Sequence, residues 1–342
     1  MPAELPLAQR FVLASRPAGA PAPEHFRLER FTPAAPAQGQ VLLQTLYLSL
    51  DPYMRGRMSD APSYAPPVGI GEVMVGGTVS RVLQSQHPKF HEGDLVVNMG
   101  GWQTHSLSDG NGLMPLPAGL PSPSMALGVL GMPGMTAYMG LTHIGQPQPG
   151  ETLVVAAASG PVGSVVGQLA KLQGLKAVGV AGGPEKCRYV VQELGFDTCV
   201  DHKSPTFAAD LAQACGGGID VYFENVGGKV LETVLPLLNP RARIPLCGLV
   251  AGYNQHELPS GPDRTGVLLR ALLTRRVKMQ GFIVTDDFSD RHAEFTAAMA
   301  PLVRDGKVKF REDVVEGFEQ APEAFMGLLE GKNFGKLLVK MI

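Results

Sequence analysis

At 342 residues the chain exceeds what one hydrophobic core ordinarily supports, so two domains are predicted. A net charge of −2 with 44% hydrophobic residues describes an ordinary globular protein and argues against a nucleic-acid or membrane-surface role. No stretch reaches the roughly 20 apolar residues of a membrane span. The N-terminus, MPAELPLAQRFVLASRP, lacks the long apolar core of a signal peptide, so a cytoplasmic location is expected.

Residues 1–125 are β-rich. Segments 40–50 (QVLLQTLYLSL), 73–83 (VMVGGTVSRVL) and 94–98 (DLVVN) have strand composition, with Pro/Gly-rich turns such as 61–71 between them. Many short strands punctuated in this way suggest a barrel-like β domain. From Ser124 the sequence SMALGVLGMPGMTAYMGLTHIG groups small and apolar residues as helices do, with a break expected at Pro133. Pro147 and Pro149 then mark a turn.

The segment 151–186, ETLVVAAASGPVGSVVGQLAKLQGLKAVGVAGGPEK, carries the most information. An apolar strand (153–158) runs into a turn holding Ser159, Gly160, Pro161, Val162 and Gly163. Apolar residues at helical spacing follow, then a second strand at 176–181. A strand, a Gly-rich turn and a helix in this order suit a dinucleotide: the glycines admit the pyrophosphate, and the helix N-terminus supplies free N–H groups and partial positive charge. An NAD site would place Asp or Glu after the second strand. This chain has Gly182, Gly183 and then Lys186, which predicts the 2′-phosphate of NADPH.

Alternation continues beyond Lys186. Strands are predicted at 198–202, 219–226, 243–247 and 279–284, and helices at 207–214, 229–238 and 291–306, which implies an α/β domain with a parallel sheet covered on both faces. The tail, with two strand candidates around one helix, is assigned back to the first domain. The predicted domains are therefore 1–125 completed by 307–342, and 126–306. Cys187, Cys199, Cys215 and Cys247 show no C-x-x-C spacing and read as free thiols rather than as a disulfide framework or a zinc lobe.

The segments YLSLDPYMRGRMSD, VMVGGTVSRV, LGVLGMPGMTAYMGL, FENVGGKV, ARIPLCGLVAGYN, MQGFIV and LLEGKNFGK, together with the Gly-rich unit, resemble the medium-chain dehydrogenases/reductases. The closest resemblance is to the zinc-independent branch of prostaglandin reductases, leukotriene hydroxydehydrogenases and plant alkenal double-bond reductases. It implies a GroES-like β-barrel domain beside a Rossmann doubly wound parallel sheet, and a homodimer formed through the nucleotide-binding domains. Zinc alcohol dehydrogenases of the superfamily need an early Cys and a Gly-His-Glu motif. Here no Cys precedes Cys187 and no His lies between Gly69 and Gln86, so no metal is expected.

Under this resemblance the reaction is NADPH-dependent reduction of the carbon–carbon double bond of α,β-unsaturated ketones and aldehydes. Tyr253, in AGYN, aligns with a tyrosine that reaches the nicotinamide ribose and the substrate oxygen. Tyr53 and Arg55, in DPYMRGR, belong to the segment facing the cleft, although Arg55 reads equally as a structural ion-pair former. Tyr64 and Trp102 read either as walls for a flat substrate or as ordinary aromatics. Cofactor contacts are implied for Lys186, Asn225, Cys247, Gly248, Phe282, Ile283, Val284 and Asn333. His202 stands where the mammalian reductases carry tyrosine, and is expected to contact the cofactor with an imidazole that hydrogen-bonds or pairs with the phosphate. Two rival readings are an NADPH-dependent quinone reductase and a non-catalytic NADPH-binding protein.

Overall fold

The structure, a computed structural model, describes residues 7–116, 119–255 and 261–341. The chain opens with β1 (Ala8–Leu13), β2 (Phe26–Phe31), β3 (Val41–Ser49) and the short helix α1 (Tyr53–Arg57). Strands β4 (Thr78–Ser85), β5 (Leu95–Asn98), β6 (His105–Ser108) and β7 (Met114–Pro115) follow. Helix α2 (Met132–Met139) leads to β8 (Thr152–Ala156), α3 (Gly163–Leu172), β9 (Lys176–Ala181), α4 (Pro184–Gln192) and β10 (Thr198–Asp201). Next come α5 (Phe207–Ala214), β11 (Ile219–Phe223), α6 (Gly228–Val234), β12 (Leu238–Leu246), α7 (Thr265–Arg275) and β13 (Lys278–Gly281). The chain closes with α8 (Val284–Asp287), α9 (His292–Arg304), β14 (Glu312–Glu316), α10 (Ala321–Leu329) and β15 (Lys336–Lys340).

Two compact units result. One comprises Met1–Leu127, Tyr253–His256 and Glu312–Ile342, the other Gly128–Gly252 and Glu257–Arg311. In the first, β14-β15-β3-β4-β5-β7 form a sheet with β6 paired to β3, and β1 pairs with β2. Its core centres on Trp102, fully buried, stacked on Phe26 at 5.5 Å and meeting Phe325 edge-on. Trp102 is therefore a packing residue and not a substrate wall.

The second unit is built on a six-stranded parallel sheet, β10-β9-β8-β11-β12-β13. Leu153 to Ala156 on β8 are fully buried, as expected for a strand covered on both faces. The chain winds outward from β8 through β9 to β10, then returns to β11 on the other side of β8. That reversal makes the C-terminal ends of β8 and β11 the topological switch point, where open α/β sheets bind ligands.

Several elements differ from the sequence expectation. The strand expected over 73–83 starts only at Thr78. Val73 to Gly77 instead cross over Trp102, and a Cβ on Gly76 would stand 2.8 Å from Leu48 and 3.2 Å from the indole. Pro133 opens α2 rather than breaking a helix, because the first turn needs no N–H there. The last strand of the parallel sheet ends at Gly281, and Val284 begins a helical turn.

Candidate functional site

The turn after β8 is too tight for ordinary side chains. Ala157 adopts φ +54°, and a Cβ on Gly163 would fall 2.4 Å from the Ala157 carbonyl oxygen, against 3.2 Å at Gly160. Ser159 is buried in this turn, Pro161 and Val162 are half-buried, and α3 starts immediately after them. Asn225 closes the switch point by donating from Nδ2 to the Ala156 carbonyl at 2.8 Å. Behind it the buried Glu224 carboxylate accepts from the Val226 and Gly227 amides at 2.6 and 2.9 Å. Burial raises the Glu224 carboxyl above its usual range, against the pull of those amides. The Glu224 carbonyl accepts from the Cys247 and Gly248 amides, which ties the end of β12 to that of β11. Burial also pushes the Cys247 thiol up to about 12.

A second cluster of polar side chains lies at the end of β9. A Cβ on Gly182 would meet His202 Nε2 at 2.9 Å and Lys203 Cε at 3.2 Å, so with glycine here the ends of both side chains lie close over the strand end. Gly183 follows at φ +96°, and Asp201 Oδ1 accepts from the amides of Gly183 and Lys203 at 2.8 and 2.9 Å. Burial pushes the His202 imidazolium below its ordinary range. The positive charges of Lys203, Lys229 and Lys186 push it the same way, and only Asp201 opposes. The positive charge of three lysines bearing on one imidazole suits a doubly charged phosphate, and the one carboxylate beside it, Asp201, is already engaged by the Gly183 and Lys203 amides.

Tyr53, Tyr253 and Asn333 belong to the other unit. Tyr53 starts α1, and burial raises its phenol well above the ordinary range, as does the negative charge of Asp51. Arg55 is buried, and its guanidinium donates to the carbonyls of Pro17 and Gly19 at 3.3 and 2.7 Å. Gly19 in turn lies against Asn254, beside Tyr253, so Arg55 holds a loop and does not reach solvent. Asn333 donates from Nδ2 to the Gly335 carbonyl at 2.9 Å and braces the turn before β15.

Comparison with known proteins places this arrangement. Residues 9–116 match the model described as the N-terminal domain of oxidoreductase, and residues 161–304 the model described as zinc-binding dehydrogenase. NADPH-dependent curcumin reductase of Escherichia coli is 59% identical over 97% of this chain and 96% of its own. The chain belongs to the medium-chain dehydrogenases/reductases, in the branch of the curcumin and prostaglandin reductases. Prostaglandin reductase 1 of Rattus norvegicus is 41% identical over 97% of the chain and 99% of its own length. The crystal structure of CurA from Vibrio vulnificus in complex with NADPH matches with a TM-score of 0.95 at 57% identity, over 98% of this chain and 99% of that one.

Within this reductase branch, the structure gathers the Gly-rich turn, Asn225, Cys247 and Gly248 at the switch point. Lys186 lies in the first turn of α4 just beyond β9, where its charge bears on His202, whose amide donates to the Ala181 carbonyl at the end of β9. Phe282 is different: its ring packs edge-on against Phe223 at 6.3 Å under Gly140, which leaves only its backbone to face a ligand. The Ile283 amide is taken by Asp287 at 2.8 Å, and Val284 is buried. Sequence reasoning missed Lys203 and Lys229, although both were visible beside residues it chose, in DHK and VGGK. Among the described residues no group of three or more His, Cys, Asp or Glu is placed to hold a metal.

Proposed function

We propose that this chain reduces the carbon–carbon double bond of α,β-unsaturated ketones and aldehydes with NADPH. The observation that carries the cofactor assignment is the close approach of His202 and Lys203 to Gly182 at the end of β9, under the added positive charge of Lys186 and Lys229. The substrate class rests on the 59% identity with a curcumin reductase and on the similarity to prostaglandin and alkenal reductases. When bound, NADPH supplies a hydride to the substrate β-carbon. The chain's part is to hold the reactants and to meet the charge that develops. The Gly-rich turn and the α3 N-terminus receive the pyrophosphate, while the lysines and His202 receive the 2′-phosphate. The Tyr253 hydroxyl donates to the carbonyl oxygen as it becomes an enolate oxygen, the role of an oxyanion donor. Tyr53, whose phenol burial keeps protonated, stands as a second donor and not as a base. A proton then reaches the α-carbon. A conjugated enone is already electrophilic at its β-carbon, so hydrogen-bond donors suffice where a carbonyl reductase would use a Lewis acid.

Residues 1–125 with 307–342 form the GroES-like substrate part in this reading, and 126–306 the cofactor part. The enzyme is a cytoplasmic homodimer joined through the nucleotide-binding domains. Strand β13 supports the dimer: it is the edge of the six-stranded sheet, with Leu269 and Leu273 of α7 exposed at 58% and 80%.

Steady-state kinetics with NADPH against a 2-alkenal, a cyclic enone, a curcumin-like diketone and a quinone tests the assignment. Turnover of the first three with a saturated carbonyl product supports it. Preference for the quinone would move the chain to quinone reduction, and tight NADPH binding without any turnover would leave a binding protein.

A further inference from the structure

Two segments of the second unit meet beyond the ends of their strands, and one carboxylate stands at the junction. The first is the turn 225–228 after β11. The second is the segment 247–252 after β12, which closes in a short helical turn, Val250–Gly252, immediately before Tyr253. Backbone bonds stitch the two together. The Glu224 amide donates to the Pro245 carbonyl at 3.0 Å, and the Glu224 carbonyl accepts from the Cys247 and Gly248 amides at 2.9 and 3.2 Å. The Asn225 carbonyl accepts from the Val250 amide at 3.3 Å, and the Val226 carbonyl from the Ala251 amide at 3.0 Å. A Cβ on Gly227 would stand 2.9 Å from Leu249 Cδ2, so the segments are in close contact there.

The Glu224 side chain holds the other side of the same peptide groups. Its Oε1 accepts from the Val226 amide at 2.6 Å and from the Gly227 amide at 2.9 Å. In a trans peptide the N–H and the preceding C=O point in opposite directions within one plane. The Val226 N–H shares its plane with the Asn225 carbonyl, and the Gly227 N–H shares its plane with the Val226 carbonyl. Oε1 therefore sets the direction of the two carbonyls that receive Val250 and Ala251. Glu224 is fully buried, and a buried amide that loses its acceptor is costly. The shape of the turn thus depends on that oxygen.

We propose that Glu224 is a positioning residue for the reduction, holding through two peptide planes both the Asn225 turn at the switch point and the segment that ends at Tyr253. Being fully buried, the carboxylate itself meets no ligand. It acts through Asn225 on the cofactor and through residues 250–252 on the placement of the Tyr253 hydroxyl. One acceptor oxygen then governs NADPH affinity and turnover together. Burial raises the Glu224 carboxyl above its usual range, so a neutral side chain with an acceptor oxygen suits the same place.

This inference rests on the roles proposed above for Asn225 and Tyr253, so the test has arms that need no turnover. Glu224→Leu occupies the space without an acceptor, and Glu224→Gln restores the acceptor without the charge. Full-length wild type and both variants are compared below their unfolding temperatures. The readouts are hydrogen–deuterium exchange of peptides, NADPH titration, and enone kinetics at saturating NADPH. In Glu224→Leu, segments 225–228 and 247–252 should lose protection together while β8 and β9 keep theirs. NADPH affinity should fall roughly three- to tenfold, the size of one lost hydrogen bond. The fall in kcat should be roughly tenfold to a hundredfold, the cost of a misplaced reacting group. Glu224→Gln should recover most of each loss. A general loss of stability would lower the unfolding temperature and leave the kcat of the folded enzyme alone. The proposal is overturned if Glu224→Leu loosens 225–228 without 247–252, or leaves NADPH affinity and kcat unchanged. It is equally overturned if Glu224→Gln fares no better than Glu224→Leu. Should Glu224→Leu fail to fold, wild type decides: the two segments must open together with protection of the same order, and independent opening of 247–252 overturns the proposal. A wild type that turns over no enone would sink the proposed reaction instead, while exchange and titration still decide the role of Glu224.

Discussion

His202 is the residue at which the charge balance of the proposed cofactor site can be read directly. Burial and three lysines disfavour its imidazolium in the free protein, and a dianionic phosphate beside it favours that form. Binding NADPH therefore takes up a proton, and the part of the affinity owed to His202 is present at low pH and fades as pH rises. NADPH titrations of wild type and His202→Gln between about pH 6 and 8, bracketing the ordinary histidine range, isolate this term, because the phosphate's own ionisation is common to both. The ratio of the two affinities should grow as pH falls, and a flat ratio would remove His202 from the phosphate. Tyr253 poses the corresponding question at the substrate. Tyr253→Phe should lower kcat by roughly 10²–10⁴ at saturating NADPH, the range for a positioned donor. A variant with unchanged kcat and weakened NADPH binding would make Tyr253 an orienting group only.

Between elements, one buried ion pair fastens the tail to the early strands. Lys336 at the start of β15 is 2% exposed and donates to the Leu50 carbonyl at 2.9 Å and to Asp51 at 2.7 Å. Ser49 donates to the other Asp51 oxygen. Removing one partner strands a buried charge, so Asp51→Asn should cost about 3–5 kcal/mol in urea unfolding. A loss below about 1 kcal/mol would show the pair to be dispensable. This contact was not legible in the sequence, because nothing in GKNFGK announces which strand β15 will join. What was legible had strong local cause: β9 and α5 match their expected residues 176–181 and 207–214, where periodicity and turn residues agree. Helix α7 and the pair β1–β2 were not anticipated. Helix α7 packs only the partly buried Leu268 and Ala271 against the core and leaves Leu269 and Leu273 exposed, and β1 owes its place to long-range partners at Val73, Gln103 and Trp102. The site followed the same division. The Gly-rich turn announced itself, whereas Lys203 and Lys229 bear on His202 only through the tertiary fold, Lys203 beyond the end of β10 where that strand pairs with β9.

For the whole molecule, a reductase that works without a Lewis acid must be insensitive to metal removal. No Cys precedes Cys187, so the first unit lacks the thiolate ligand that the zinc enzymes of the superfamily need. Prolonged dialysis against a strong chelator should leave turnover unchanged, and loss of activity restored by added zinc would contradict the proposed chemistry. The central claim concerns where the hydride goes. It is tested most directly by reducing a simple enone with NADPH deuterated at the transferred position and examining the product by NMR. The account predicts a saturated ketone with its carbonyl intact and deuterium on the β-carbon. An allylic alcohol with deuterium on the carbonyl carbon would contradict it.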